Sequence, residues 1–356
     1  MSQTVTVQVK LLPNQHQSDL MSRSSATYIA TINALVAEMV QAKEPTRKTS
    51  KYVNAPHPSA VKNQAIRDAK SVFRKAKKSQ YRIIPILKKP CILWNNQNYT
   101  FDEGSVSVPL MVDGKSKRIR INATFTQDIL TKLASPKRGT LRITKKAHKW
   151  IAQFSIVIPT QQNTGTNIMG VDLGLKVPAV AVTEDEKTRF FGSGRRNKYV
   201  RRKFKSKRQK LGRKKKLTAI KKLHNKEQRW MKDQDHKVSR QIVDFAVKHN
   251  VSIIRLEKLA NIRQTAKTSR KNAKNLHTWS FYRLASFIEY KATLAGIKVE
   301  YVDPKYTSQT CPSCGNRNKS KDRSYKCRCG YHTHRDRVGA MNIRHAPVID
   351  GQSRSA

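Results

Sequence analysis

The chain has 356 residues, of which 73 are Lys or Arg and 23 are Asp or Glu, giving a formal net charge of +50. Its apolar share of 37% suffices for buried cores at this length, and no run of about 18 apolar residues exists to cross a bilayer, so membrane-spanning classes are excluded. An excess of positive charge this large calls for a polyanionic partner, and nucleic acid is the abundant candidate, since each neutralised phosphate releases counterions and adds to affinity.

The opening MSQTVTVQVK lacks the apolar stretch of a secretory leader, and TVTVQVKLL alternates as a strand. Apolar residues at helical spacing predict a helix from Ser25 to Gln41, with Ile29, Ile32, Leu35, Val36, Met39 and Val40 on one face. A second helix is expected from Ala60 to Gln80. Five short alternating segments follow, Cys91–Trp94, Ser107–Val112, Arg118–Thr124, Gly139–Thr144 and Trp150–Pro159. Together with the opening strand they predict a small β-barrel carrying a helical insert.

From Asn167 the pattern changes. Asn167–Asp172 reads as a short apolar strand ending in GVDLG, and Ala179–Thr183 and Thr188–Gly192 as the next two strands. A helix is expected through Trp230, Val238, Ile242 and Phe245, then a buried strand VSIIRLE at Val251–Glu257. Ser280–Ala295 reads as a helix and Ile297–Asp303 as a strand. Three strands, helix, strand, helix, strand is the order of a ribonuclease H-like α/β layer fold. In that fold Asp172 closes the first strand, Glu257 closes the fourth beside it, and Asp336 opens a final short helix, DRVGAMNI. The three carboxylates are expected to converge at one sheet edge. Magnesium takes hard oxygen ligands, and two such ions about 3.5–4 Å apart suit phosphodiester cleavage. Taken singly, Glu257 can be a strand cap and Asp172 a turn residue.

The cysteines carry a sharper signal. Cys311-x-x-Cys314 and Cys327-x-Cys329 are close pairs, each followed by a glycine, as thiolates that close on one tetrahedral zinc ion require. Four thiolates point to a structural and not a catalytic metal. The second pair is one residue shorter than the common spacing, so His332 or His334 can substitute for one sulfur. Cys91 reads as an ordinary buried cysteine.

Between Lys187 and Lys226 there is no acidic residue, and 14 of the 22 residues from Arg195 to Lys216 are basic. These are Arg195, Arg196, Lys198, Arg201, Arg202, Lys203, Lys205, Lys207, Arg208, Lys210, Arg213, Lys214, Lys215 and Lys216. A solvated helix face is the bland reading, but self-repulsion without a polyanion favours nucleic-acid contact. Tyr199 and Phe204 stack either on bases or on neighbours. The basic stretch Arg263–Lys274 follows Glu257 and is either a plain loop or a lid over the acids.

GVDLG at Gly170–Gly174, RLEKL at Arg255–Leu259, YTSQTCPSCG at Tyr306–Gly315 and CGYHTHRDRVGAMNI at Cys329–Ile343 together resemble the transposon-encoded TnpB (OrfB) proteins, relatives of the type V CRISPR effectors. The resemblance covers roughly residues 168–346. It implies a RuvC-like nuclease domain at 167–305 and 335–347, interrupted by a zinc ribbon at 306–334, with Asp172, Glu257 and Asp336 as the magnesium-binding catalytic triad. It further implies a wedge-like β-barrel at 1–12 and 84–160 and a helical recognition insert at 13–83; residues 348–356 are expected to be a disordered tail. The implied activity is RNA-guided DNA cleavage associated with a transposable element, with two magnesium ions, one structural zinc, a guide RNA and a target DNA. A monomer is expected, in the cytoplasm of a prokaryote and associated with the nucleoid. The Cys-x-Cys pair and Arg337-Val338-Gly339-Ala340 depart from the family's usual pattern without removing an acid. Two other readings stay open: a guided DNA-binding repressor that has lost cleavage, and a metal nuclease or transposition factor that needs no RNA.

Overall fold

The computed structural model describes residues 2–134, 137–223, 225–259, 279–320 and 322–350, and the chain divides into two compact units at residue 158. In the first unit β1 (Ser2–Leu11) alternates as expected, with Val7, Val9 and Leu11 turned inward. The helix that follows, α1 (Gln15–Ala42), starts about ten residues earlier than apolar spacing alone indicates. Its first turns are polar, so no stripe marks them. They are set by a capping box, in which the Asn14 side chain accepts from the Gln17 amide at 2.8 Å and Gln17 accepts from the Asn14 amide at 3.1 Å. The left-handed Lys43 ends the helix.

Helix α2 (Ser59–Lys78) packs along α1, and buried Ala65 and Ala69, one turn apart, leave room for close approach. The Tyr28 hydroxyl donates to Asp68 across this pair at 2.8 Å. Six further strands follow: β2 (Cys91–Trp94), β3 (Thr100–Phe101), β4 (Ser105–Val112), β5 (Lys115–Thr124), β6 (Arg138–Lys146) and β7 (Lys149–Pro159), with a short α3 (Gln127–Leu133) that sequence patterning did not mark. They form one sheet in the order β2-β6-β7-β1-β5-β4-β3. The sheet curls on itself: Trp94 of β2 donates to the Pro109 carbonyl of β4 at 3.2 Å, and Tyr99 to the Gly139 carbonyl of β6 at 3.0 Å. Edge-to-face contacts of Tyr99 and Phe101 with Phe154, both at 5.6 Å, fill the curl.

The second unit opens with an antiparallel meander, β8 (Asn167–Asp172), β9 (Ala179–Val182) and β10 (Thr188–Phe191). Helices α4 (Gly194–Arg213), α5 (Leu217–Leu223) and α6 (Lys226–Lys248) lead to β11 (Val251–Glu257), which lies parallel to β8. Helix α7 (Phe281–Leu294) leads to β12 (Lys298–Val302), parallel to β11. A small hairpin, β13 (Ser324–Lys326) and β14 (His332–His334), precedes α8 (Arg335–His345). The sheet order is β10-β9-β8-β11-β12-β15, the ribonuclease H-like arrangement. One correction concerns the tail: Val348–Asp350 is not disordered but forms β15, antiparallel to β12, because the sheet edge at β12 offers it backbone partners. Residues 351–356 lie outside the described residues.

Helices cover both faces of this sheet. On one, Ile242 and Phe245 of α6 and Leu284 and Ile288 of α7 share a core with Met169, Val171, Ile254 and Leu256. On the other, Ala340 and Met341 of α8 pack on Val180 and Val182. The helix backbone lies directly against β8. A Cβ at Gly170 would collide with the Ala340 carbonyl oxygen, so no larger residue fits there without displacing the helix. No helix among the described residues is long and apolar enough to cross a membrane.

Candidate acid cluster and cysteine centre

Parallel pairing of β8 and β11 aligns Leu256 with Val171. One step further along this register sets Glu257 beside Asp172 at the same strand ends, on neighbours about 4.8 Å apart. The third acid arrives from the covering helix. Asp336 stands in the first turn of α8, one turn before Gly339, and a Cβ at Gly339 would sit 3.0 Å from an Asp172 carboxylate oxygen. The close packing of α8 on β8 therefore brings Asp336 to the strand ends. The structure thus brings together all three acids singled out in the sequence.

The surroundings raise proton affinity. Burial pushes the Asp172 carboxyl well above the usual carboxylate range, and the charges of Glu257 and then Asp336 add to it. Burial likewise pushes Glu257 up to about 7, opposed by a hydrogen bond from the Thr307 hydroxyl at 2.5 Å and supported by the charge of Asp303. Asp336 accepts from the Arg323 guanidinium on Oδ1, while its Oδ2 is buried without a hydrogen-bond partner. Orphaned buried oxygens are rare and ask for an explanation. Carboxylate oxygens, one of them unpaired, are the donor chemistry that a hard divalent cation takes, although among the described residues only the four cysteines have ligand atoms all within 4.8 Å of one another.

Thr307 and Arg323 are the contributors that sequence reading missed. Neither belongs to an acid motif. Thr307 lies in the turn after β12, and Asn342 of α8 pins that turn by donating to the carbonyls of Thr307 at 2.6 Å and Thr310 at 2.7 Å. Arg323 precedes β13, and its carbonyl accepts from the Arg335 amide at 2.8 Å. The YTS run inside the quoted Tyr306–Gly315 segment was the available signal for Thr307.

The cysteine sulfurs of Cys311, Cys314, Cys327 and Cys329 all lie within 4.8 Å of one another. Cys311 and Cys329 stand 3.7 Å apart, and Cys314 and Cys327 3.6 Å. A tetrahedron with metal–sulfur bonds of about 2.3 Å has edges of about 3.8 Å, so the spread fits one closed thiolate site. The shortened Cys-x-Cys spacing is accommodated without a histidine. His332 meets the Ser324 hydroxyl at 2.8 Å, and His334 caps α8 by accepting from the Asp336 amide at 3.2 Å. Cys91 is buried in the core of the first unit.

The basic run occupies α4 as far as Arg213, with Lys214, Lys215 and Lys216 in the turn after it. Most of its charges are exposed: Arg195, Arg196, Arg202, Lys203, Lys205, Lys207, Arg208, Lys210, Arg213, Lys214, Lys215 and Lys216, while Lys198 and Arg201 are half-buried. Some compensation comes from α6. Arg208 pairs with Glu227 at 2.7 Å, and Arg196 lies over the Trp230 ring at 5.9 Å. Tyr199 is exposed and Phe204 half-buried. The lid reading of Arg263–Lys274 falls outside the described residues.

Two family models match the chain: "Probable transposase" (OrfB) over residues 126–263 and "Cas12f1-like, TNB domain" over residues 281–343. A CRISPR-associated endodeoxyribonuclease Cas12f1 of Sulfoacidibacillus thermotolerans is 33% identical over 225 residues, covering 58% of this chain and 52% of the relative. A TnpB-like protein of Methanocaldococcus jannaschii is 37% identical over 155 residues, covering 41% of this chain and 55% of the relative. The chain thus spans about half the length of these curated relatives. Among solved structures, a Cas12f1–sgRNA–target DNA complex aligns with a TM-score of 0.68 at 14% identity, over 97% of this chain and 98% of that one, a likeness of fold. Two segments of the chain thus match the OrfB transposase and Cas12f1-like TNB families, and the chain is similar over about half their length to TnpB-like and Cas12f1 proteins.

Proposed function

We propose that this chain is an RNA-guided DNA endonuclease, associated with a transposable element, that hydrolyses phosphodiester bonds at Asp172, Glu257 and Asp336. The observation that carries the reading is the buried meeting of these three carboxylates with one oxygen of Asp336 unpaired. Likeness to an endodeoxyribonuclease and to the fold of a guide–target complex supports it.

The acids fit magnesium in their oxygen chemistry and in the unpaired Oδ2 of Asp336. Two bound ions would supply Lewis-acid stabilisation of the attacking and leaving oxygens. The chain's own residues set the stage for that chemistry. Thr307 fixes Glu257 through one oxygen. Arg323 neutralises Asp336 Oδ1 and leaves the buried Oδ2 without a hydrogen-bond partner. The side chains of Asp172 and Asp336 are held in place by the packing of α8 on β8. One zinc ion in the four-cysteine centre would stiffen the hairpin that carries Arg323, a structural role.

The net charge of +50 and the exposed face of α4 suit a guide RNA and target DNA as partners. In this reading the first unit supplies the wedge-like barrel and helical recognition insert. The second supplies the RuvC-like nuclease at 167–305 and 335–347, with the zinc ribbon at 306–334. The protein would work as a monomer at the nucleoid.

The test is to purify the chain expressed with its native flanking DNA, sequence the RNA that accompanies it, and offer a plasmid matching that RNA in magnesium. Guided cleavage by the wild type is expected. Cleavage that persists after RNA removal would instead favour a nuclease that needs no RNA. Guided binding without cleavage would favour a silent repressor.

A further inference from the structure

The turn that delivers Thr307 to Glu257 begins with an aromatic residue whose geometry the acid cluster does not require. Tyr306 adopts a left-handed backbone (φ 61°), a conformation that costs a bulky residue energy and is kept where surrounding structure enforces it. Its carbonyl accepts from the amides of Gln309 at 2.9 Å and Thr310 at 3.0 Å, closing a tight turn. Asn342 clamps the same turn onto α8, the helix bearing Asp336, and Thr307 ties it to Glu257. The turn is therefore fixed to Glu257 and to the helix that bears Asp336, and Tyr306 stands at a fixed place beside Thr307.

Tyr306 is 45% exposed. Arg317 lies over it, the guanidinium carbon 3.7 Å from the ring centroid. That is the distance of a stacked plane, and a backbone bridge between Thr310 and Arg317 keeps the two in register. The Arg317 side chain has no hydrogen-bond partner among the described residues. A flat, braced and partly exposed aromatic next in sequence to the residue that holds Glu257 is the chemistry that receives a nucleobase, since stacking needs a π face and no particular base.

We propose that the Tyr306 ring, braced by Arg317, is a stacking platform for one base of the DNA strand entering the acid cluster, and so a positioning residue that fixes which phosphate stands before the acids. This rests on the nuclease reading above, and the experiment separates the two. Full-length protein with its co-purifying RNA is titrated onto single-stranded DNA carrying 2-aminopurine at successive positions, in calcium to hold cleavage silent. The unlabelled DNA is cut in magnesium in parallel.

In the wild type and in Tyr306→Phe, fluorescence is quenched at one position near the cut. In Tyr306→Leu, which keeps bulk without a π face, that quenching is lost and KM rises about tenfold, as expected for the loss of one base stack. The cut also spreads to neighbouring phosphates, while zinc content and melting temperature stay at wild-type values. Quenching and cut position unchanged in Tyr306→Leu would overturn the proposal and leave the ring as a brace for the cysteine centre. Loss in Tyr306→Phe equal to that in Tyr306→Leu would overturn it too, by pointing to the phenol oxygen. Position-specific quenching in a wild type that cuts nothing would sustain the platform and sink the nuclease reading.

Discussion

The Thr307 hydroxyl illustrates how one neutral side chain sets the charge state of a buried acid. Its hydrogen bond to Glu257 favours the ionised form and opposes the burial that raises this group to about 7. Thr307→Val removes the donor and keeps the shape. Magnesium affinity is expected to fall several-fold, measured by the magnesium dependence of cleavage, and an unchanged dependence would remove Thr307 from the account. Asp172 and Glu257 both titrate higher in the folded chain than in the unfolded one, where carboxyls titrate near about 4. The folded state therefore binds more protons above that value, so their contribution to stability is full below about pH 4 and declines as pH rises, for Glu257 through about 7. Without added magnesium, melting temperature is expected to fall from pH 5 to pH 8 less steeply in Asp172→Asn than in the wild type. Equal slopes would contradict the burial argument. The acids themselves were legible because each ends a strand or opens a helix. Thr307, Arg323 and Tyr306 were not, because their roles come from turns folded back onto those acids.

At the scale of elements, the strands Cys91–Trp94, Asn167–Asp172 and Val251–Glu257 match the sequence reading residue for residue, since alternation or unbroken apolar runs bounded by turns define them. Helix α1 shows the opposite case: the capping box at Asn14 and Gln17 was present in the sequence, but the polar turn after it carries no stripe. The approach of α8 to β8 was written in GVDLG and yet could not be read there, because a glycine required by a neighbouring backbone looks like any turn glycine. Gly170→Ala places a methyl group where the Ala340 carbonyl stands, and is expected to cost about 1–3 kcal/mol and to displace Asp336 from the cluster. Denaturant midpoints together with cleavage rates check this; a variant as stable and as active as the wild type would refute the packing argument. Helix α4 presents a nearly unbroken basic surface. Replacing Lys203, Lys207 and Lys210 by Gln should lower the slope of log affinity against log salt by about one for each phosphate that is no longer neutralised. A slope equal to that of the wild type would make the run a solvated face.

For the whole molecule, two kinds of structural support are at work. Each unit has its own apolar core, whereas the hairpin bearing Arg323 has only a small one around Cys311, Tyr325 and Val338 and draws on the cysteine centre. Cys311→Ser is expected to lose bound zinc, read by elemental analysis, and to lower melting temperature. Retained zinc would exclude Cys311 as a ligand. The ribonuclease H-like order of the second unit was legible from strand and helix sequence alone. In the first unit the return of the opening strand to the later ones was legible, and β1 does lie between β7 and β5, but the full strand order was not, because neighbours there are distant in the chain. The most direct measurement is cleavage of a DNA matched to the co-purifying RNA, in magnesium, by the wild type and by Asp172→Asn at equal nucleic-acid occupancy. The account predicts cutting by the first and none by the second; equal cutting by both would contradict it.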